Sequence, residues 1–350
     1  MKKILLALLV LIVLAGAAAG GWWVWRDRQI SAFVAQPVSI EKPVTVDIPS
    51  GTGPRRLATL LAESGVVANA DRFYDYLRRD GLGPKLKAGE YEFAGALTPA
   101  EVARRIIAGE VKIYRFTVPE GLRADEILEI VAKSDLKLDQ VKLTQLTKDA
   151  SFLRKAGIPA DRVEGFLYPD TYTFTRTANE ETVLEKMISR SLEEYEKAAT
   201  NANPPTKLDL LQTFTLASII EKETGAPQER PRISCVFHNR LRLGMKLQTD
   251  PTVLYAASLV RGSWVNNITR RDLETSHPYN TYTTRGLPPG PIASPGAAAL
   301  QAALNPLQCE DLFFVSSNDG THIFCPDLKC HEAAVGKWQR AYFRNKRKNG

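Results

Sequence analysis

The chain has little of what builds metal, redox or serine-hydrolase centres. Among 350 residues there are 4 histidines and 4 cysteines. His238, His277, His322 and His331 form no close ligand pair, and a His-Glu-x-x-His run is missing, which removes the common zinc-hydrolase pattern. No Gly-x-Ser-x-Gly elbow and no glycine-rich phosphate loop occurs, so serine-hydrolase and nucleotide chemistry have no local signature. Helix-turn-helix, RNA-binding and zinc-finger patterns are absent too, and nucleic acid is not an expected partner. Cys309, Cys325 and Cys330 lie near one another, so one bridge among them is expected if the chain is exported, with connectivity left open. Cys235 sits in an apolar helical stretch and reads as a small buried residue. Cys330-His331 and His322 are neighbours, yet the paired Cys-x-x-Cys spacing of a zinc site is missing. No metal and no cofactor are expected.

What is present is ordinary in bulk. Hydrophobic residues make up 44% and charged residues 24%, enough for a sizeable folded core. The formal net charge is +7, which favours an anionic neighbour such as a membrane surface or an acidic polymer. Part of the excess, Arg344, Lys346, Arg347 and Lys348, lies in a basic tail over 343–350 that reads as a solvated end.

The N-terminus is more specific. Lys2 and Lys3 precede an uncharged apolar run from Ile4 to Trp25, long enough to span a bilayer as a helix. Ala15-Gly16-Ala17 and Ala17-Ala18-Ala19 resemble signal-peptidase sites, so a cleaved signal peptide stays open. The run continues past them into Trp22, Trp23 and Trp25, an interfacial aromatic belt, which favours an uncleaved anchor. Either way the rest of the chain is exported, and the leading lysines place the N-terminus inside.

The organisation expected is α+β: a cytoplasmic end at 1–3, a transmembrane anchor at 4–25, a linker at 26–43, a small α/β module at 44–112 and a larger α+β domain at 113–342. In the module a strand at Val44–Ile48 leads into a helix carrying Leu57, Leu60 and Leu61 at helical spacing. Thr98-Pro99 opens a further helix, with Glu101 completing a capping box. A weak repeat is visible, because Val46-Asp47-Ile48-Pro49-Ser50-Gly51 aligns with Phe116-Thr117-Val118-Pro119-Glu120-Gly121. Each copy reads as strand, Pro-x-Gly turn and amphipathic helix. In the larger domain a helix is expected over Leu208–Thr224, a Pro/Asn loop over Asn201–Pro205, and a hairpin around Asn318-Asp319-Gly320.

One acid stands in an unusual place. The helix of Leu208–Thr224 is apolar nearly all round, which predicts burial. Leu210, Phe214, Ala217 and Glu221 step by four, three and four residues and share one face. Burial and the negative end of the helix dipole both disfavour an ionised Glu221, so both raise its pKa. A carboxylic acid kept protonated near neutral pH is what protonation of a glycosidic oxygen needs. The bland alternative is an ion-paired helix end. Glu223 lies about 200° away around the helix and is expected to serve structure, for instance by pairing with Arg230. Downstream, Gln248-Thr249-Asp250-Pro251-Thr252 is expected in a turn, and Tyr279-Asn280-Thr281-Tyr282 joins phenols to a carboxamide. Aromatic faces with amides and carboxylates suit a saccharide groove, walled by the Pro/Gly loop Gly286–Gly296. Asp250 and Asn280 could equally make turn hydrogen bonds.

Leu216–Gly225 (LASIIEKETG), Asn239–Thr252 (NRLRLGMKLQTDPT), Tyr279–Tyr282 (YNTY), Gly286–Gly296 (GLPPGPIASPG) and Gly165–Tyr172 (GFLYPDTY) together resemble the YceG-like family of endolytic murein transglycosylases. The resemblance covers nearly the whole chain after the anchor; the segment Cys325–His331 departs from the family pattern. It implies a single-pass protein of the bacterial inner membrane with a LysM-like module before the catalytic domain. It implies that Glu221 is the catalytic acid and base, leaving 1,6-anhydroMurNAc ends on peptidoglycan. Gln248, Asp250, Asn280 and Tyr282 are the expected sugar-positioning residues. Glycan strands are the expected substrate, and cell-wall synthases such as penicillin-binding proteins the expected partners. The competing readings are a peptidoglycan-binding module without catalysis and a muramidase that uses water.

Overall fold

The computed structural model describes residues 2–202 and 206–341. Met1, part of the Pro/Asn loop (203–205) and the basic tail lie outside the described residues. The chain divides into two compact units. The first runs to Tyr114 and includes Phe174–Thr177; the second holds Arg115–Thr173 and resumes at Ala178. Helices and short two-stranded sheets make up both.

The first unit begins with helix α1 (Lys2–Ala35), whose N-terminal two-thirds is apolar and exposed, with Leu5, Leu9, Ile12 and Trp23 all open. It is long and apolar enough to cross a membrane. The helix does not stop where a linker was expected. Ile30 and Phe33, three apart, turn one face of its last turns into the core of the unit. Strand β1 (Val38–Ile48) then starts earlier than the Val44 expected, and pairs antiparallel with β2 (Gly89–Leu97). The register shifts between Ile40 and Val44, where Pro43 has no N–H to give the ladder. Helices α2 (Pro54–Glu63) and α3 (Ala70–Arg79) lie between the strands, and α4 (Pro99–Ala108) follows with the Thr98/Glu101 capping box as expected. Leu57, Leu61, Phe73, Leu77, Tyr91 and Phe93 fill the core.

A second copy of this order follows: β3 (Tyr114–Thr117), α5 (Ala124–Lys133), α6 (Gln140–Leu146), α7 (Ala150–Lys155) and β4 (Thr171–Phe174), with β3 pairing β4. The repeat seen over six residues extends further. Helices α2 and α5 begin and end at equivalent positions 70 residues apart, and the N-caps Asn69 and Asp139 of α3 and α6 obey the same offset. Gly51 and Gly121 both take left-handed φ, 81° and 74°, which a β-carbon would resist.

The remaining elements are α8 (Glu180–Thr200), α9 (Leu210–Glu223), α10 (Arg230–Arg242), α11 (Asp250–Arg261), α12 (Arg270–Glu274), α13 (Ala297–Leu304), the hairpin β5 (Phe313–Ser316) and β6 (His322–Cys325), and α14 (Leu328–Val335). Helix α9 is the centre of this unit, packed against α10, α11 and α13. Asp209 caps it by accepting from the Gln212 N–H at 2.8 Å while Gln212 accepts from the Asp209 N–H at 3.1 Å. Every residue from Thr213 to Ile220 is buried, as the all-round apolar pattern requires. The hairpin forms where Asn318-Asp319-Gly320 placed it, with Asn318 and Gly320 both at positive φ.

The cysteines correct one expectation. Cys235 is not a simple packing residue: it is bonded to Cys309, tying α10 to the segment before β5. Cys325 and Cys330 form the second bridge. All four sulfurs are therefore spent on one another and supply no zinc ligand.

Candidate active site

Glu221 comes from the last turn of α9, three residues before the chain leaves the helix at Thr224. Its side chain is only 5% exposed. One carboxylate oxygen, Oε1, accepts from Arg230 Nη2 at 2.7 Å, and the other, Oε2, accepts from the Gly296 N–H at 3.0 Å. Arg230 is the first residue of α10, and its side chain is 7% exposed. Gly296 is the N-cap of α13. Three elements thus converge on one carboxyl. Burial pushes the Glu221 carboxyl above its ordinary value; the Gly296 N–H and Arg230 pull the other way, and the nearby charge of Glu120 adds to the rise.

The wall beside Glu221 is the second Pro-x-Gly turn. A β-carbon on Gly121 would sit 3.6 Å from Glu221 Cγ. Lys222 Nζ donates to the Gly121 carbonyl at 3.0 Å. The Gly286–Gly296 loop is stitched to the same turn: the Gly121 N–H donates to the Ser294 carbonyl at 2.9 Å, and the Ser294 N–H to the Leu122 carbonyl at 2.8 Å. Ser218, one turn before Glu221, accepts from the Ile292 N–H at 3.0 Å, so its hydroxyl anchors this loop.

Glu120, in that turn, was passed over by sequence reasoning. Its carboxylate lies over Gly296, where any β-carbon would collide with it, and Arg230 Nη2 is 3.6 Å from its Oε2. Its side chain is 49% exposed. The pairing expected for Glu223 is also corrected. Arg230 binds Glu221, while Glu223 points to the opposite side of α9 and accepts from the Thr249 hydroxyl. Burial pushes Glu223 up to about 7, against that hydrogen bond.

The other candidates assemble apart from the Arg230 contact. The Tyr282 hydroxyl donates to Asp250 Oδ1 at 2.7 Å. Asp250 opens α11 instead of sitting in a free turn, because Pro251 suits a first helical turn. Gln248 is exposed and holds φ at 50°, an unusual backbone for a residue with a β-carbon and the kind of strain that gathers at functional sites. Its N–H donates to the Thr281 carbonyl at 3.2 Å, which brings Gln248, Asp250 and Tyr282 into one cluster. Asn280 differs. It is fully buried, and its amide donates to the carbonyls of Asp272, Leu273 and Thr275 while its oxygen accepts from the Tyr282 N–H. Its carboxamide holds the turn from a fully buried position.

A third buried acid lies elsewhere. Glu164 accepts from the Ala124 N–H at 2.9 Å and from the Tyr255 hydroxyl at 3.1 Å, and burial pushes it up to about 7. It lines a cavity of about 460 Å³ with Arg123, Tyr255 and Trp264, and Glu221 is not part of that lining. Signals for both overlooked acids were present: Glu120 inside the Pro-x-Gly repeat, and Glu164 directly before GFLYPDTY.

The model of the YceG-like family matches residues 46–337. An endolytic murein transglycosylase of Bacillus subtilis (strain 168) is 30% identical over 328 residues, covering 87% of each chain. A protein of the same name from Streptococcus pneumoniae serotype 2 is 27% identical over 331 residues, covering 85% of this chain and 58% of the relative. Among solved structures, a putative YceG-like protein from Listeria monocytogenes aligns with a TM-score of 0.55 and 31% identity, over 84% of this chain and 99% of that one.

Proposed function

Since the chain belongs to the YceG-like family, we propose that it is an endolytic murein transglycosylase, cutting peptidoglycan glycan strands with Glu221 as general acid and base. The observation that carries the assignment of Glu221 is its placement: a carboxyl enclosed at the end of an otherwise buried helix, with burial raising its proton affinity.

In the protonated form Glu221 donates its proton to the oxygen between MurNAc C1 and the following GlcNAc. The C1–O bond breaks and positive charge develops at C1. The resulting carboxylate takes the proton of the same sugar's C6 hydroxyl, whose oxygen bonds to C1. The product is a 1,6-anhydro end; no water is consumed and Glu221 regains its proton. A hydroxyl on the same ring is already positioned, so closure outruns attack by water, and a second catalytic carboxylate is not required as it is in most glycoside hydrolases. The Gly296 N–H holds the carboxylate form between the two transfers. For the sugar to reach Oε1, the Arg230 guanidinium moves off it.

Gln248, Asp250 and Tyr282 position the sugar from one side, and Asn280 acts behind them by fixing the turn that carries Tyr282. The unit over 44–112 serves as a LysM-like module that holds the strand, which its βααβ order supports. The apolar helix anchors the protein in the bacterial inner membrane, N-terminus inside and catalytic domain outside, beside penicillin-binding synthases whose strands it trims.

Mass spectrometry of products from purified glycan strands tests this reading. Anhydro ends from the wild type and none from Glu221→Gln are expected. Reducing ends identify a muramidase, and absence of any product with retained strand binding identifies a binding module. Glu164→Gln is the control: it keeps the anhydro product if Glu221 is the acid.

A further inference from the structure

Glu221 presents a difficulty for its own chemistry. Its carboxyl must carry a proton, yet its Oε1 is 2.7 Å from a permanently charged guanidinium. A buried pair of this kind favours the ionised acid. Three features show how the pair is loosened. Arg230 Nη2 has a second acidic neighbour, Glu120 Oε2, at 3.6 Å. Both carboxylates therefore flank one nitrogen. Arg230 Nε is buried and has no hydrogen-bond partner among the described residues, so the guanidinium is not fully fixed where it stands. Gly296 leaves the room in which the Glu120 carboxylate lies, since a β-carbon there would collide with it.

We infer that Glu120 is a positioning residue of the reaction: it draws the Arg230 guanidinium from Glu221 when the sugar arrives, leaving Glu221 free to hold and donate its proton. The inference rests on Glu221 being the acid. The charged and polar groups facing Glu221 are Arg230 from α10, Glu120 from the β3–α5 turn, Lys222 from α9 itself and the Gly296 N–H from the start of α13. Of these only Glu120 carries negative charge. It is half exposed, so it can accept the guanidinium without a large desolvation cost. No atoms are transferred in this step; one ion pair is exchanged for another.

The test compares Glu120→Gln and Glu120→Asp with the wild type. Glu120→Gln leaves Arg230 on Glu221. The alkaline limb of the kcat profile then moves to lower pH by roughly one unit, and kcat near neutral pH falls about tenfold, with KM changed little. Glu120→Asp recovers most of the loss. Thermal melting confirms that each variant is folded. A raised KM with an unmoved profile makes Glu120 a sugar contact and overturns the inference. An unchanged kcat profile overturns it as well. If Glu221→Gln still makes anhydro ends, the underlying reading fails instead, whatever Glu120 does.

Discussion

Gly51 and Gly121 hold equivalent turns, 70 residues apart, in two strand–helix–strand copies whose first helices, α2 and α5, start and stop in step. Around Gly51 nothing lies within 4 Å of where a β-carbon would be, and the preceding residue is Ser50. Around Gly121 stand Glu221 and Lys222, and the preceding residue is Glu120. One local code therefore builds a turn twice, and the neighbours brought to it decide whether the turn only links a strand to a helix or also walls a buried carboxyl. The two units differ in the same sense. The first keeps a conventional apolar core of Leu57, Phe73, Tyr91 and Phe93. The second buries three acids that are pushed upward by their surroundings: Glu164, Glu221 and Glu223.

The strongest way to break this contrast is Glu221→Gln. It is expected to lower the rate of anhydro-end formation by about 10²–10⁴-fold, measured by product mass spectrometry, while substitution of Ser50 in the first copy leaves kcat near wild type.

Disulfide loss should separate the units next. All four cysteines lie between residues 235 and 330, so reduction spares the first unit. Replacing Cys235 and Cys309 with serine reopens a loop spanning 74 positions and should cost about 4 kcal/mol of the second unit's stability. Replacing Cys325 and Cys330, 5 apart, should cost about 2 kcal/mol. Chemical denaturation monitored separately for each unit reads both, and a loss confined to the first unit would contradict the assignment.

pH offers a third separation. Glu164 and Glu223 have folded values raised to about 7, above those of the unfolded chain. The folded state then binds more protons than the unfolded state between about pH 4.5 and 7. The stability these groups contribute is complete below that window and is lost as pH rises through it, by about 3 kcal/mol for each. His238, His277 and His331, pushed down by burial, act the opposite way over the same range, so the readout is the change on mutation: with Glu164→Gln and Glu223→Gln the second unit should lose less stability, or gain more, from pH 5 to pH 8 than in the wild type.

The smallest effect sharpens the comparison most. Alanine at Gly51 and at Gly121 should each cost about 1–2 kcal/mol in thermal stability, because both glycines hold left-handed φ. Only Gly121→Ala should lower kcat, since only that turn touches Glu221. Equal effects on kcat would dissolve the distinction between the copies.

Much of the scaffold was legible because it is written locally. The apolar run of α1, the capping box of Thr98 and Glu101, the hairpin at Asn318–Gly320 and the all-round apolar α9 follow from spacing and turn chemistry within a few residues. Misreadings fell where long-range partners intervene. Residues 26–35 look polar enough for a linker, yet Ile30 and Phe33 find a core to enter. Asp250 reads as a turn residue until the packing of α11 makes it a helix start. Cys235 looks like a packing residue until Cys309 is placed beside it.

The sequence by itself determined where helices and turns form, that an apolar helix leads the chain, and that a glutamate stands on a buried stripe, because these depend on neighbours within about one or two turns of chain. Only the tertiary structure decided which arginine holds Glu221, that Glu120 shares it, and that Asn280 is spent on a turn. The two arginine contacts join residues 9 and 110 positions apart, where a charged side chain takes whichever partner the folded backbone delivers within hydrogen-bonding distance, while Asn280 takes carbonyls 5 to 8 residues before it that only the folded turn brings round.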